Sequence, residues 1–151
     1  MSRVYLSDST LIAKAMKDHL NSWSKKPVPF LLEDLGKDVP SLMIQQLASA
    51  EQKRAYIDGS YIGVWNFSVY MRVDGEDTAS RLDAIGCLND LADWLMETDD
   101  NGSYTHLPYI DESRKPTSIE IKSTPSIAAR YNSGIEDYQV IFSLEYKARR
   151  K

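Results

Sequence analysis

Residues 61–73 alternate in character. Tyr61, Gly63, Trp65, Phe67, Val69, Met71 and Val73 fill one set of positions, while Asn66, Ser68 and Arg72 fall in the other. Successive side chains on a strand point to opposite faces, so this segment reads as a strand with one apolar and one mixed face. A second run sets Tyr138, Val140, Phe142, Leu144 and Tyr146 against Gln139, Ser143, Glu145 and Lys147. A third sets Ile119 and Ile121 against Glu120 and Lys122 and leads into Pro125. Proline gives no N–H to a ladder, which confines that strand to an edge or a bulge. Residues 41–48 and 52–58 read as further strands, and 30–40 as a loop or a single turn over the sheet. Asp58-Gly59 suits a tight hairpin turn, whose two central positions need positive φ. The apolar pattern runs almost unbroken through it, so a bulge within one long strand stays open.

Two segments follow the 3.6-residue helical period. In 7–23, Leu11, Ile12, Ala15, Met16, His19, Leu20 and Trp23 form a stripe, with Lys14, Lys17 and Asp18 between them. Ser7 or Asp8 can cap its free N–H groups, and Lys25-Lys26-Pro27-Val28-Pro29 ends it. After the Asp74-Gly75-Glu76 turn, Asp77 or Thr78 caps a second helix running to about Glu97. Leu82, Ile85, Leu88, Leu91, Ala92 and Leu95 make its stripe, and Asp83, Asp90 and Asp93 lie on the other side. Asp99-Asp100-Asn101-Gly102-Ser103 stops it. Residues 99–116 then form a polar loop carrying Tyr104, His106 and Tyr109, read as functional or mobile because structureless loops of that length are uncommon in compact domains. Tyr131-Asn132-Ser133-Gly134 turns the chain before the last strand. The order helix, strands, helix, strands with short connections predicts a single α+β domain: an antiparallel or mixed β-sheet of about four to five strands with two main helices packed on one face.

Composition narrows the class. The 151 residues are 42% hydrophobic with three Trp and nine Tyr, which is the make-up of a folded chain with a sizeable core. No run of about eighteen apolar residues predicts a membrane span, and the N-terminus shows no secretion signal. The single cysteine, Cys87, lies in a helical pattern and reads as a small buried hydrophobe in a reducing compartment. Charge is uneven: residues 1–73 hold nine basic and seven acidic side chains, 74–112 one basic and eleven acidic, and 113–151 eight basic and four acidic. An acidic solvated helix beside a basic tail accounts for this. So does complementarity between copies, since a head-to-tail ring joins two different patches of one subunit.

Few residues point to catalysis. His19 and His106 are not spaced as zinc ligands, and no Gly-rich phosphate loop or G-x-S-x-G nucleophile turn is present. His19 reads as a packed helix residue, and His106 as a loop histidine with at most acid–base capacity. The carboxylates at 74, 76 and 77 and the 99–102 stretch suit turns and caps better than calcium, whose loop needs further ligands and a closing Glu. No catalytic, cofactor or metal residue is assigned. The terminal Lys147-Ala-Arg149-Arg150-Lys151 allows non-specific contact with passing DNA through phosphates, though a tail or an inter-subunit ion pair is the simpler use. Tyr56, Tyr61, Trp65, Tyr70, Tyr131, Tyr138 and Tyr146 are more strand aromatics than one face of a small sheet usually buries. Those on the opposite face, Tyr70 first, suit an interface.

Tyr56-Ile-Asp-Gly-Ser60, Phe67, Tyr70-Met-Arg72, Asp77-Thr-Ala-Ser-Arg-Leu82 and Leu91-Ala-Asp-Trp-Leu95 resemble the phage minor capsid protein family, which is similar in size and architecture to the tail terminators of long-tailed (siphovirus-type) bacteriophages. The resemblance covers the middle of the chain well and the ends only in layout. It implies a structural virion protein at the head-proximal end of the tail, assembled in the host bacterial cytoplasm. There, a homo-oligomeric ring, commonly of six subunits, caps the tail tube protein and faces the head-tail connector protein. Three contact regions are expected from exposure and charge. The strand with Trp65, Tyr70 and Arg72, together with the Asp58-Gly59 turn, would meet a neighbour or the tube. The acidic helix face (Asp83, Asp90, Asp93) would meet Arg149, Arg150 and Lys151 of the next copy. The loop at Tyr104, His106 and Tyr109 would meet the connector. The alternatives are another head-tail joining protein (connector, stopper or minor capsid protein) and, more distantly, a small-ligand-binding domain or enzyme.

Overall fold

In the computed structural model, residues 6–36, 38–47 and 51–149 are described, with only the backbone of 6, 7 and 51–53. Helix Leu6–Asn21 (α1) is followed by strands Phe30–Leu32 (β1), Ser41–Gln46 (β2), Glu51–Ala55 (β3) and Tyr61–Asp74 (β4). Helix Thr78–Leu95 (α2) and strands Arg114–Arg130 (β5) and Ile135–Ala148 (β6) complete the chain. The strands form one open six-stranded sheet in the order β1-β2-β4-β6-β5, with β3 beside the first half of β4 on the edge it shares with β2. β1 runs parallel to β2 and every other pair is antiparallel, so the sheet is mixed and the fold α+β. The strand beyond the expected five is β1. Three residues are too few for alternation to register.

β4 and β6 pair along all fourteen residues, from Tyr61 opposite Ala148 to Asp74 opposite Ile135. Their apolar positions share one face, where Trp65 stacks on Phe67 (4.9 Å between centroids) and Phe67 on Phe142 (5.3 Å). Ile12, Met16 and Leu20 of α1 and Ala84, Leu88, Leu91 and Leu95 of α2 close the core over that same face. β5 is an edge strand whose register shifts on both sides of Ser123, near Pro125, as a strand lacking that N–H must.

Both hairpins use one turn design. Tyr56 accepts from the Gly59 N–H (3.0 Å) and donates to the Ser60 carbonyl (2.8 Å); Tyr131 does the same with Gly134 and Ile135 (both 2.9 Å). Gly59 and Gly134 have φ of 89° and 90°. The first turn is therefore centred on Ile57-Asp58, with Gly59 as the bulge residue, and not on Asp58-Gly59 with two positive φ values. Asp99–Ser103 repeats the pattern within the loop, where the Asp99 carboxylate also accepts from the Asn101 and Ser103 N–H groups.

Two helix expectations change. Asp77 caps α2 as expected, accepting from the Ala79 N–H (3.0 Å). Leu82, expected in the buried stripe, is 65% exposed, and Ile85 is half-buried. The reason is Arg81, which reaches both oxygens of buried Glu136 (3.1 and 3.2 Å) and fixes the rotation of the first turn. Arg81, Ala84 and Leu88 then share the inner face, and Leu82 points out. Asp8 is not a cap. It lies within α1, 1% exposed.

Candidate functional site

Three charged clusters lock the sheet, and each spends side chains that a sequence reader would leave on the surface. Asp8 accepts from the Tyr61 hydroxyl, from the Tyr146 hydroxyl (3.1 Å) and from Arg114 Nε (2.6 Å). Arg114 also pairs with Asp111 (2.7 Å), whose other oxygen accepts two backbone N–H groups. One carboxylate thus joins α1, β4, β6 and the start of β5. Burial pulls the Arg114 pKa down, yet the Asp8 and Asp111 carboxylates together outweigh it and the net shift is upward. Burial, then the same carboxylate, pushes the Tyr146 phenol up. Glu136 takes Arg81, Arg130 (3.0 Å) and the Tyr138 hydroxyl (2.9 Å) at the opposite end of the sheet. The third cluster lies on the face without helices. Arg72 grips Asp137 with two hydrogen bonds (2.8 and 3.0 Å) and lies 5.3 Å over the Tyr131 ring, while the Tyr131 hydroxyl donates to Asp137 (2.8 Å). These are anchoring sites. Each carboxylate is saturated by donors, as buried charge requires.

The loop after α2 is tied by aromatic stacking. Trp94 lies between His19 (5.0 Å) and His106 (4.7 Å). His19 Nε2 donates to the His106 carbonyl (2.8 Å) and His106 Nδ1 to the Trp94 carbonyl (2.9 Å), roles set by carbonyl oxygens, which only accept. Burial lowers the His19 pKa. Both histidines therefore serve loop placement, with Glu97 3.2 Å from His106. Tyr104 packs against the core and Tyr109 stands 75% exposed. β5 begins at Arg114, so the loop is shorter than the 99–116 expected.

The expected contact residues fall in different places. Trp65 is a correction: it is 1% exposed and inside the core, because its odd position in β4 faces the helices, and it offers nothing to a partner. Tyr70 and Arg72 lie on the helix-free face, half-buried. Asp83, Asp90 and Asp93 are exposed on α2. Asp83 and Asp90 border a groove of about 520 Å³ whose apolar wall includes Pro27, Val39, Met71 and Leu82. Cys87 also lines it, and burial, then Asp90, pushes its thiol up to about 11, far from a nucleophile's range. Asp58 and Gly59 sit at the far end of β4, where Lys115, Lys147 and Arg149 surround a shallow cleft beside Asp58. Arg150 and Lys151 lie outside the described residues. Among the described residues no three His, Cys, Asp or Glu side chains converge as metal ligands, and no helix is long and apolar enough to cross a membrane.

Sequence reasoning missed Ile57. It is fully exposed at the tip of the β3–β4 hairpin, beside a partly exposed Tyr56 whose ring lies 5.3 Å from Lys147 Nζ. The signal was present, since an isoleucine at the centre of a two-residue turn has no core to enter.

No protein-family model and no curated protein matches the sequence. Among solved structures, the chain is similar in fold to a chain from a structure described as "Virion of native gene transfer agent (GTA) particle". The TM-score is 0.54 at 9% identity, over 96% of this chain and 100% of that one. Another solved chain aligns over 94% of this chain and 96% of its own at 18% identity, with a TM-score of only 0.41.

Proposed function

We propose that this chain is a structural component of a phage-like virion, and within that class a tail terminator, a ring that caps the tail tube and presents its other face to the head connector. The observation that carries the virion reading is the full-length likeness in fold to a chain of a gene transfer agent particle. The terminator role rests on the resemblance of the 56–95 segment to phage minor capsid proteins and tail terminators. The physics of the molecule fits a ring subunit. The buried carboxylates of Asp8, Glu136 and Asp137 are spent on anchoring the sheet, and exposed charge of opposite sign sits at the two ends of β4, about 45 Å apart at the rise of a strand. A heterologous contact between unlike patches closes into a ring when its rotation allows.

In this reading the helix-free face with Tyr70 lies toward the tube or a neighbour. The acidic side of α2 meets basic residues of the next copy, and the exposed Tyr109 lies toward the connector. The test is the solution mass by light scattering, alone and with short tail-tube assemblies. A species near six subunits, alone or only on the tube, is the expected result. A monomer or dimer indifferent to tube refutes the terminator role and returns a connector or stopper to first place.

A further inference from the structure

The β3–β4 hairpin tip of one copy docks in the apolar groove beside α2 of the next: this is the contact we propose, and it deepens the ring reading above, on which it rests. Ile57 is fully exposed on a tip that is already rigid. The Asp58 carboxylate accepts from the Ser60 N–H (2.9 Å) and hydroxyl (2.6 Å), and Gly59 closes the bulge. A preorganised loop loses little conformational freedom on docking, which is where much binding energy is otherwise spent. A lone apolar side chain held this way into water gains nothing for the monomer and has the form of an anchor residue.

The groove is its complement. Pro27, Val39, Met71, Val73 and Leu82 give an apolar wall, and its volume of about 520 Å³ takes Ile57 together with part of Tyr56. Leu82 is itself turned outward by the Arg81–Glu136 pairing and contributes its exposed surface to the groove. Charge selects the occupant. Asp74, Asp83 and Asp90 border the groove against Lys25, the one base among the described residues that line it. Around the tip, Arg54, Lys115, Lys147 and Arg149 are exposed, opposed locally by Asp58 and Glu112. Lys115 and Lys147 also lie directly opposite each other across β5 and β6. Like charges in that position destabilise an isolated sheet, and an acidic partner relieves them. Tip and groove lie at opposite ends of β4, so no copy can fill its own groove with its own tip, and the contact is heterologous.

Disulfide trapping tests this directly on the full chain. The variant Ile57→Cys/Leu82→Cys/Cys87→Ser is oxidised mildly, alone and with short tail-tube assemblies, and run without reductant, beside the two single cysteine variants in the same Cys87→Ser background. Both positions are exposed, so the fold is retained, which circular dichroism checks. The expected result is a ladder of covalent oligomers from the double-cysteine chain only. Separately, Ile57→Glu is expected to weaken self-association about tenfold or more, the loss typical of an anchor residue. Dimers from Ile57→Cys alone would mean tip-to-tip contact and overturn the proposal. So would the absence of a ladder, whatever the wild-type mass. If the wild type still forms a ring in that case, the terminator reading stands and only this contact falls. Full assembly of Ile57→Glu also overturns it and leaves the groove to a small apolar ligand or the tube.

Discussion

Asp8 ties four elements of this fold together through one side chain. Its carboxylate is almost wholly shielded from water and is the shared acceptor for Tyr61, Tyr146 and Arg114. Removing one partner of a buried charged network leaves the others desolvated and unpaired, which costs more than the net worth of the bonds. Asp8→Ala is therefore expected to lower stability by about 3 kcal/mol, the lower end of the buried-pair range because Arg114 retains Asp111 and some solvent. Tyr146→Phe removes one donor and costs about 1 kcal/mol. Urea midpoints check both, and equal losses would refute the central place given to the carboxylate. His19 makes a pH prediction. Burial holds its pKa below the ordinary 6.5, so the folded chain favours the neutral ring. Between the lowered folded value and 6.5 the unfolded state binds more protons, and stability there rises with pH. The His19 contribution is thus complete above 6.5 and lost on acidification below it. His19→Gln is expected to flatten the stability profile from about pH 7 to 5. A slope identical to wild type would show that the loop latch does not titrate through His19.

At the scale of elements, strands announced themselves and helix rotation did not. β4 and β6 are buried on one face only, so period-two alternation survives in the sequence and their facing residues were legible one by one. β1 carries no such record in three residues. α2 shows why a helical period is a weaker guide. Leu88, Leu91, Ala92 and Leu95 are buried as the pattern predicts, but towards the N-terminus the stripe can continue through Leu82 and Ile85 or through Arg81 and Ala84, and apolarity alone favours the first. The structure takes the second because Arg81 is drawn inward to a glutamate 55 positions away, and no local pattern encodes a partner that remote. The same holds for Asp8, whose partners are 53, 106 and 138 positions distant and which looked like a cap. The rotation makes a sharp prediction. Leu82→Ser is expected to change stability by no more than about 0.5 kcal/mol, as surface substitutions do. Leu88→Ala, which empties a fully buried site, costs about 2–5 kcal/mol. Comparable losses at the two positions would mean that α2 sits with Leu82 inward.

For the whole molecule, the distribution of charge matters more than its total of −4. The acids of α2 and the groove are exposed and, among the described residues, lack the basic partners that saturate Asp8, Glu136 and Asp137, and the bases near the hairpin tip lie at the far end of β4. Charge left unpaired in that arrangement repels within each end and attracts between copies, which favours one orientation of approach. Exposed pairs are screened over about 8 Å at physiological salt, so assembly driven partly by them weakens as salt rises. Asp83→Lys/Asp90→Lys is therefore expected to weaken self-association while leaving the urea midpoint close to wild type, because neither carboxylate anchors the sheet. Lys115→Glu/Lys147→Glu does the same from the other end. Combining all four substitutions in one chain reverses both sides of every contact and is expected to restore assembly, read as light-scattering mass. Restoration separates a direct contact between these two patches from a general effect of net charge: the quadruple chain returns to the wild-type charge of −4, while the two parents stand at 0 and −8. A quadruple variant that stays as dispersed as its parents would show that the acidic and basic ends meet something other than each other.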